Sequence, residues 1–169
     1  PWNMKMNNSF YLCGFMGVGK TTILNNIKRQ TKYTCFDLDE SIENKYGQIN
    51  SIFKEQGETF FREIEEKEFF VSQNKFNLIS IGGGAIENDN IFETLLESNQ
   101  TIYLSLDFES LWERIKNSNR PLINTGREIL ESRYKNRLKR YEMMEYKISN
   151  ENVKDTTSKV LEVMEKQNV

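Results

Sequence analysis

Gly14-Phe15-Met16-Gly17-Val18-Gly19-Lys20-Thr21 follows a short apolar run, Phe10-Tyr11-Leu12-Cys13, and leads into Thr22 to Gln30, where Ile23, Leu24 and Ile27 recur at helical spacing. The stretch reads Gly-x-x-x-x-Gly-Lys-Thr between a strand and a helix, which is the order a phosphate-binding loop requires. Its glycines let the backbone wrap closely so that successive N–H groups of Gly14, Met16, Gly17, Val18, Gly19 and Thr22 can face phosphate oxygens. Lys20 carries a full positive charge that can reach β- and γ-phosphates, and the Thr21 hydroxyl is placed to ligate magnesium. The helix behind the loop points the positive end of its dipole at the anion. Kinases, GTPases and motor ATPases all use this loop, so the rest of the chain must decide among them.

Working outward, further short apolar runs recur at Tyr33–Phe36, Asn77–Ile81, Thr101–Leu106 and Tyr146–Ser149. Between them lie helical patterns at about 38–46, 49–72, 88–98, 108–117, 127–145 and 154–167. Alternation of this kind predicts an α/β protein: a five-stranded parallel sheet covered by helices on both faces, in three α/β/α layers. The 169 residues fit one domain, taken as 4–169, with Pro1-Trp2-Asn3 ahead of Met4 read as a remnant of expression cloning. Apolar residues at 37%, with eleven Phe and seven Tyr, are enough for a packed core and argue against disorder.

Composition also excludes several kinds of chemistry. Histidine is absent, which removes the commonest general base and zinc ligand and leaves carboxylates, lysine, arginine and a bound metal to do any work. Cys13 and Cys35 read as small core hydrophobes rather than a disulfide or a metal pair. A formal charge of −2 offers no global basis for nucleic-acid binding. No apolar run reaches the length of a membrane span and no signal-peptide core precedes the first strand, so a cytoplasmic monomer is expected. Arg133 and Arg140, in the basic stretch from Arg114 to Lys147, read as a solvated helix face.

Four further segments could carry chemistry. Asp37-Leu38-Asp39 closes the second strand, beside the phosphate loop in an open parallel sheet, and alternation along an extended chain would point both carboxylates the same way. One carboxylate can hold magnesium and the other accept a hydroxyl proton, while a helix N-cap accounts for the pair equally well. Arg62 and Glu65, in Gly57-Glu58-Thr59-Phe60-Phe61-Arg62-Glu63-Ile64-Glu65, lie one helical turn apart and could be no more than an ion pair. Gly82-Gly83-Gly84 ends the third strand, where three glycines are costly unless something must approach the backbone closely. Asn117 to Gly126, with Arg120-Pro121 inside it, is a polar stretch that reads as a mobile surface loop.

In this order and spacing the elements resemble shikimate kinase: Gly14–Thr21, Asp37-Leu38-Asp39, Gly57-Glu58-x-x-Phe61-Arg62-x-x-Glu65, the triple glycine, Arg120-Pro121-Leu122 and Arg137-x-x-x-Tyr141, from about Ser9 to Val163. The resemblance implies a P-loop NTPase fold with a substrate-binding helical segment at about 38–66 and a mobile lid at about 114–127. It implies phosphorylation of shikimate to shikimate 3-phosphate with ATP and Mg²⁺, on the route to chorismate and the aromatic amino acids. Arg62 and Arg137 would hold the substrate carboxylate, braced at Arg62 by Glu65. Gly82, Gly83 and Gly84 would line the same substrate, and Asp39 would serve as base. Asp37 and Thr21 would hold the metal, Arg114 would flank adenine, and Arg120 would close over the phosphates beside Lys20. Gluconate kinase is the nearest rival, and a non-catalytic nucleotide-binding module is a rival of another class. A GTP switch would carry Asn-Lys-x-Asp, which does not occur.

Overall fold

The apolar run Phe10–Cys13 forms β1, and all four of its residues are buried because both faces of the strand are covered. A computed structural model describes residues 9–118 and 126–166 of the chain. Four more strands join β1 in one parallel sheet: β2 (Cys35–Asp37), β3 (Leu78–Ser80), β4 (Thr101–Ser105) and β5 (Tyr146–Ser149), in the order β2-β3-β1-β4-β5. Register pairs Leu12 with Ser80 on one side and with Ile102 on the other.

Helices α1 (Lys20–Gln30), α2 (Leu38–Tyr46), α3 (Ile49–Gln56), α4 (Glu58–Ser72), α5 (Asp89–Ser98), α6 (Phe108–Ile115), α7 (Arg127–Tyr141) and α8 (Val153–Lys166) cover the sheet on both faces. In α1 the stripe Ile23, Leu24 and Ile27 is buried, each residue contributing about 1.5–3 kcal/mol by leaving water. Asn26 Nδ2 donates to Thr157 Oγ1 at 3.3 Å and ties α1 to α8. Among the described residues no helix is long and apolar enough to cross a membrane.

The fold departs from the sequence pattern in two places that bear on the site. The helical periodicity from 49 to 72 is not one helix: Gly57 adopts φ +89°, ends α3 by donating to the Ile52 and Phe53 carbonyls, and starts α4. A left-handed residue is incompatible with an unbroken α-helix, so the arm bends there and re-aims Arg62. The pattern beyond Arg127 also stops at Tyr141, four residues short of Glu145.

Chain connections leave β1 toward the β2 edge, whereas β3 connects across to β4, so a crevice opens outside the carboxyl ends of the strands. The phosphate loop, Asp37, the triple glycine and Asn150 all follow the carboxyl ends of strands and therefore share one face of the molecule.

Candidate active site

The loop Gly14–Thr21 borders a cleft of about 400 Å³ whose wall also includes Asp39, Gly83, Arg114 and Asn150. Its size falls within the range of small-molecule sites. Lys20 arches back over its own loop, with Nζ 2.5 Å from the Gly14 carbonyl and 3.3 Å from that of Phe15. Gly19 caps α1 at φ +106°, a backbone that L side chains rarely adopt.

The boundary between strand and helix separates Asp37 from Asp39. Asp37 ends β2 and is the N-cap of α2: its Oδ1 accepts from the Glu40 N–H at 3.1 Å. Its Oδ2 lies 3.5 Å from Thr21 Oγ1, so one carboxylate both caps a helix and faces the phosphate loop. Asp39 sits in the first turn of α2 rather than on an extended chain, so strand alternation is not what orients it. Its half-buried carboxyl is pushed up to about 6, first by loss of hydration and then by repulsion from Asp37, with Lys20 and Arg62 pulling the other way.

The triple glycine lies between this carboxylate and two arginines. A methyl group built on Gly82 would meet Asp39 Oδ1 at 2.6 Å, and one on Gly84 would collide with the Arg62 guanidinium. Gly83 is less crowded, with Arg137 Nη1 3.6 Å from such a position, and its carbonyl accepts from the buried Tyr141 hydroxyl at 2.8 Å. None of the three has positive φ, so close approach explains the motif and unusual backbone does not.

Each arginine is held by a carboxylate and by an aromatic face. Arg62 Nη1 lies 2.8 Å from Glu65 Oε1, and its guanidinium sits 5.3 Å from the Phe61 ring centroid. Glu65 is 1% exposed, and its carboxyl is pushed up to about 7 because burial outweighs the attraction of Arg62. Burial pulls Arg62 down, yet Glu65, together with Glu58 and Glu87, more than compensates and its net shift is upward. Arg137, buried on α7, gives Nε to Glu87 at 2.7 Å and lies 5.7 Å from the Phe15 centroid.

Three residues were not anticipated as parts of this site. Glu87 follows the triple glycine in a 3-10 turn and reaches Arg137 only through the tertiary fold. Asn150 follows β5, and the common position of site groups after strand ends is the one signal that pointed to it. Arg140, expected on a solvated face, instead donates to the Ile86 carbonyl at 3.0 Å, pairs with Asp89 and covers the Phe92 ring at 4.3 Å, clamping α7 to the segment after the triple glycine. Arg114, expected beside a base, donates to the carbonyls of Val18 and Asn150 at 3.0 and 2.9 Å. Arg120 lies outside the described residues, as do residues 119–125 of the lid expected at about 114–127.

Among the described residues no cluster of three or more acidic or cysteine side chains could cage a metal. Thr21 and Asp37 offer one hydroxyl and one carboxylate, a donor set that suits magnesium completed by substrate phosphates and water.

The family model for shikimate kinase matches residues 16–167. A shikimate kinase from Dictyoglomus turgidum is 35% identical over 168 residues, covering 93% of this chain and 97% of the relative. Two solved structures superpose with a TM-score of 0.81. Shikimate kinase from Aquifex aeolicus is 27% identical, covering 95% of this chain and 98% of its own. The enzyme from Acinetobacter baumannii in complex with shikimate is 28% identical, covering 96% and 95%. With its motifs in order along a matching five-stranded sheet, the chain belongs to the shikimate kinase family.

Proposed function

We propose that the protein transfers the γ-phosphoryl group of ATP to a hydroxyl of shikimate, giving ADP and shikimate 3-phosphate on the route to chorismate. The observation that carries this reading is the convergence of two braced arginines and one perturbed carboxylate on the triple glycine, across the cleft from the phosphate loop.

Family membership, the bound shikimate of the Acinetobacter relative and the paired guanidinium groups all support a carboxylate-bearing acceptor. Arg62 and Arg137 receive that carboxylate through charge-assisted hydrogen bonds, with Glu65 keeping Arg62 in place. Gly82, Gly83 and Gly84 line the acceptor pocket. Asp39 takes the proton of the attacking hydroxyl as its oxygen bonds to phosphorus and the bond from phosphorus to the ADP oxygen breaks. A carboxyl near 6 is ionised at neutral pH yet basic enough to share that proton.

On the donor side, backbone N–H groups from Gly14 to Thr22 and the Lys20 ammonium hold the phosphates, and Arg114, which borders the same cleft, flanks the adenine. Thr21 and Asp37 would hold magnesium, which would supply positive charge to the phosphate oxygens. By resemblance to the family, Arg120 would add positive charge to the transferred group. A monomer in the cytoplasm is part of the same proposal.

The test is a coupled ADP-release assay with shikimate and gluconate offered separately. Shikimate-dependent turnover with gluconate inert is expected. Well-folded protein that turns over gluconate, or neither acceptor, would overturn the reading.

A further inference from the structure

Val18 and Gly19 share a trans peptide, so the Val18 carbonyl and the Gly19 N–H point in opposite directions. Whatever fixes the carbonyl therefore aims the N–H. Two donors fix it. Asn150 Nδ2 lies 2.7 Å from Val18 O, and Arg114 Nη1 lies 3.0 Å from the same atom. The donors also hold each other, because Arg114 Nη2 donates to the Asn150 backbone carbonyl at 2.9 Å. Asn150 is in turn anchored to the sheet through its own N–H to the Ser105 carbonyl at 2.9 Å.

We infer that Asn150 is a positioning residue for the phosphate loop: with Arg114 it locks the Val18–Gly19 peptide so that the Gly19 N–H faces the phosphates. Without these donors that peptide can rotate and present its carbonyl dipole to the anion, which repels it. Glycine is the residue whose peptide rotates most freely, so a loop built on glycine needs an external lock.

Two further observations fit a dedicated role. Asn150 is fully buried, and its Oδ1 has no hydrogen-bond partner among the described residues. The amide's donor side is therefore committed to the loop at Val18 O. Gly19 is also fitted to it: a methyl group at that position would stand 2.6 Å from Asn150 Nδ2.

The proposal rests on the reading of this loop as a phosphate site, and its test uses binding in the absence of acceptor so that the two can fail separately. In the full-length protein with magnesium, dissociation constants for ATP and for inorganic tripolyphosphate are measured by calorimetry for wild type, Asn150→Ala and Asn150→Ser. Serine keeps a hydroxyl but is too short to reach Val18 O, and thermal melts identify any variant that fails to fold. Both ligands should weaken together by about tenfold, the scale of one lost hydrogen bond, while the KM for shikimate stays within about twofold. Loss confined to ATP would mean that Asn150 touches the base, and unchanged affinity in a folded variant would mean that the loop needs no lock. Either result overturns the inference.

Discussion

The Asp39 carboxylate rests against the α-carbon of Gly82, so that a methyl group placed there would meet Oδ1 at 2.6 Å and Oδ2 at 2.8 Å. Gly82→Ala therefore pushes the proposed base out of line while leaving the phosphate loop untouched. A displacement approaching 1 Å at a reacting group costs about 100-fold, so kcat should fall by about 10- to 100-fold with the KM for ATP unchanged. Steady-state kinetics with each substrate varied checks this. A variant with normal kcat would show that Asp39 tolerates the shift and does not act at the reacting hydroxyl.

The pH dependence follows from the same carboxylate. Its value near 6 lies above the ordinary 3.8, and a base works only when ionised, so kcat/KM for shikimate should rise with pH through about 6 and level off above 7. Asp39 in turn helps raise the Glu65 carboxyl, which lies near 7, so the two titrations overlap and broaden the limb. Asp39→Asn should lose about 100- to 10,000-fold in kcat together with this limb. A flat profile from pH 5 to 7.5 in the wild type would remove Asp39 from the role of base.

Glu65 offers a separate test through stability. Its folded-state value near 7 exceeds the ordinary 4.5, so the folded protein binds this proton more tightly than the unfolded chain does. Its contribution favours folding fully below about 4.5 and is lost as pH rises through about 7. Gln cannot titrate there. The stability of wild type relative to Glu65→Gln should thus decline between pH 5 and 8, by an amount on the order of 2 kcal/mol, read from urea unfolding at each pH. Shikimate KM should rise in the variant because Arg62 loses its charged partner. A stability difference that grows with pH would reverse the sign and refute burial as the dominant influence on Glu65.

Much of the architecture was legible because it depends on local pattern. Five apolar runs match strands to within two residues at each end, and Leu38–Tyr46 forms a helix over its full expected length, since hydrophobic period is set by burial. Gly57 was harder, because a glycine inside a helical pattern is compatible with either a continued helix or a left-handed break, and only the packing of α3 against α4 decides. In the site, the phosphate loop and triple glycine announced themselves through residue types that are costly elsewhere. Asn150 and Glu87 did not: asparagine after a strand and glutamate in a short turn are ordinary, and their partners lie 132 and 50 residues away. Arg140 was misread for the same reason, its partners lying on a distant segment.

The two arginines differ in how they are braced, and that difference can be measured. Glu87 occupies Arg137 Nε at 2.7 Å, which closes the side-on fork of the guanidinium and leaves its two terminal nitrogens for a ligand. Arg137's side chain is 9% exposed while that of Glu87 is 55% exposed, so the pair is neither a surface ornament nor a fully desolvated bridge. Removing Glu87 takes away the ion pair at Nε, leaving the buried cation against the Phe15 face and free to turn its Nε edge toward the substrate. Glu87→Ala should raise the shikimate KM by about three- to tenfold with the ATP KM unchanged, the scale of a charge-assisted hydrogen bond discounted for exposure. Glu87→Gln keeps an acceptor for Nε and should recover most of that loss. If both variants bind shikimate as the wild type does, Phe15 and burial suffice to aim Arg137, and Glu87 serves only to join the 3-10 turn to α7.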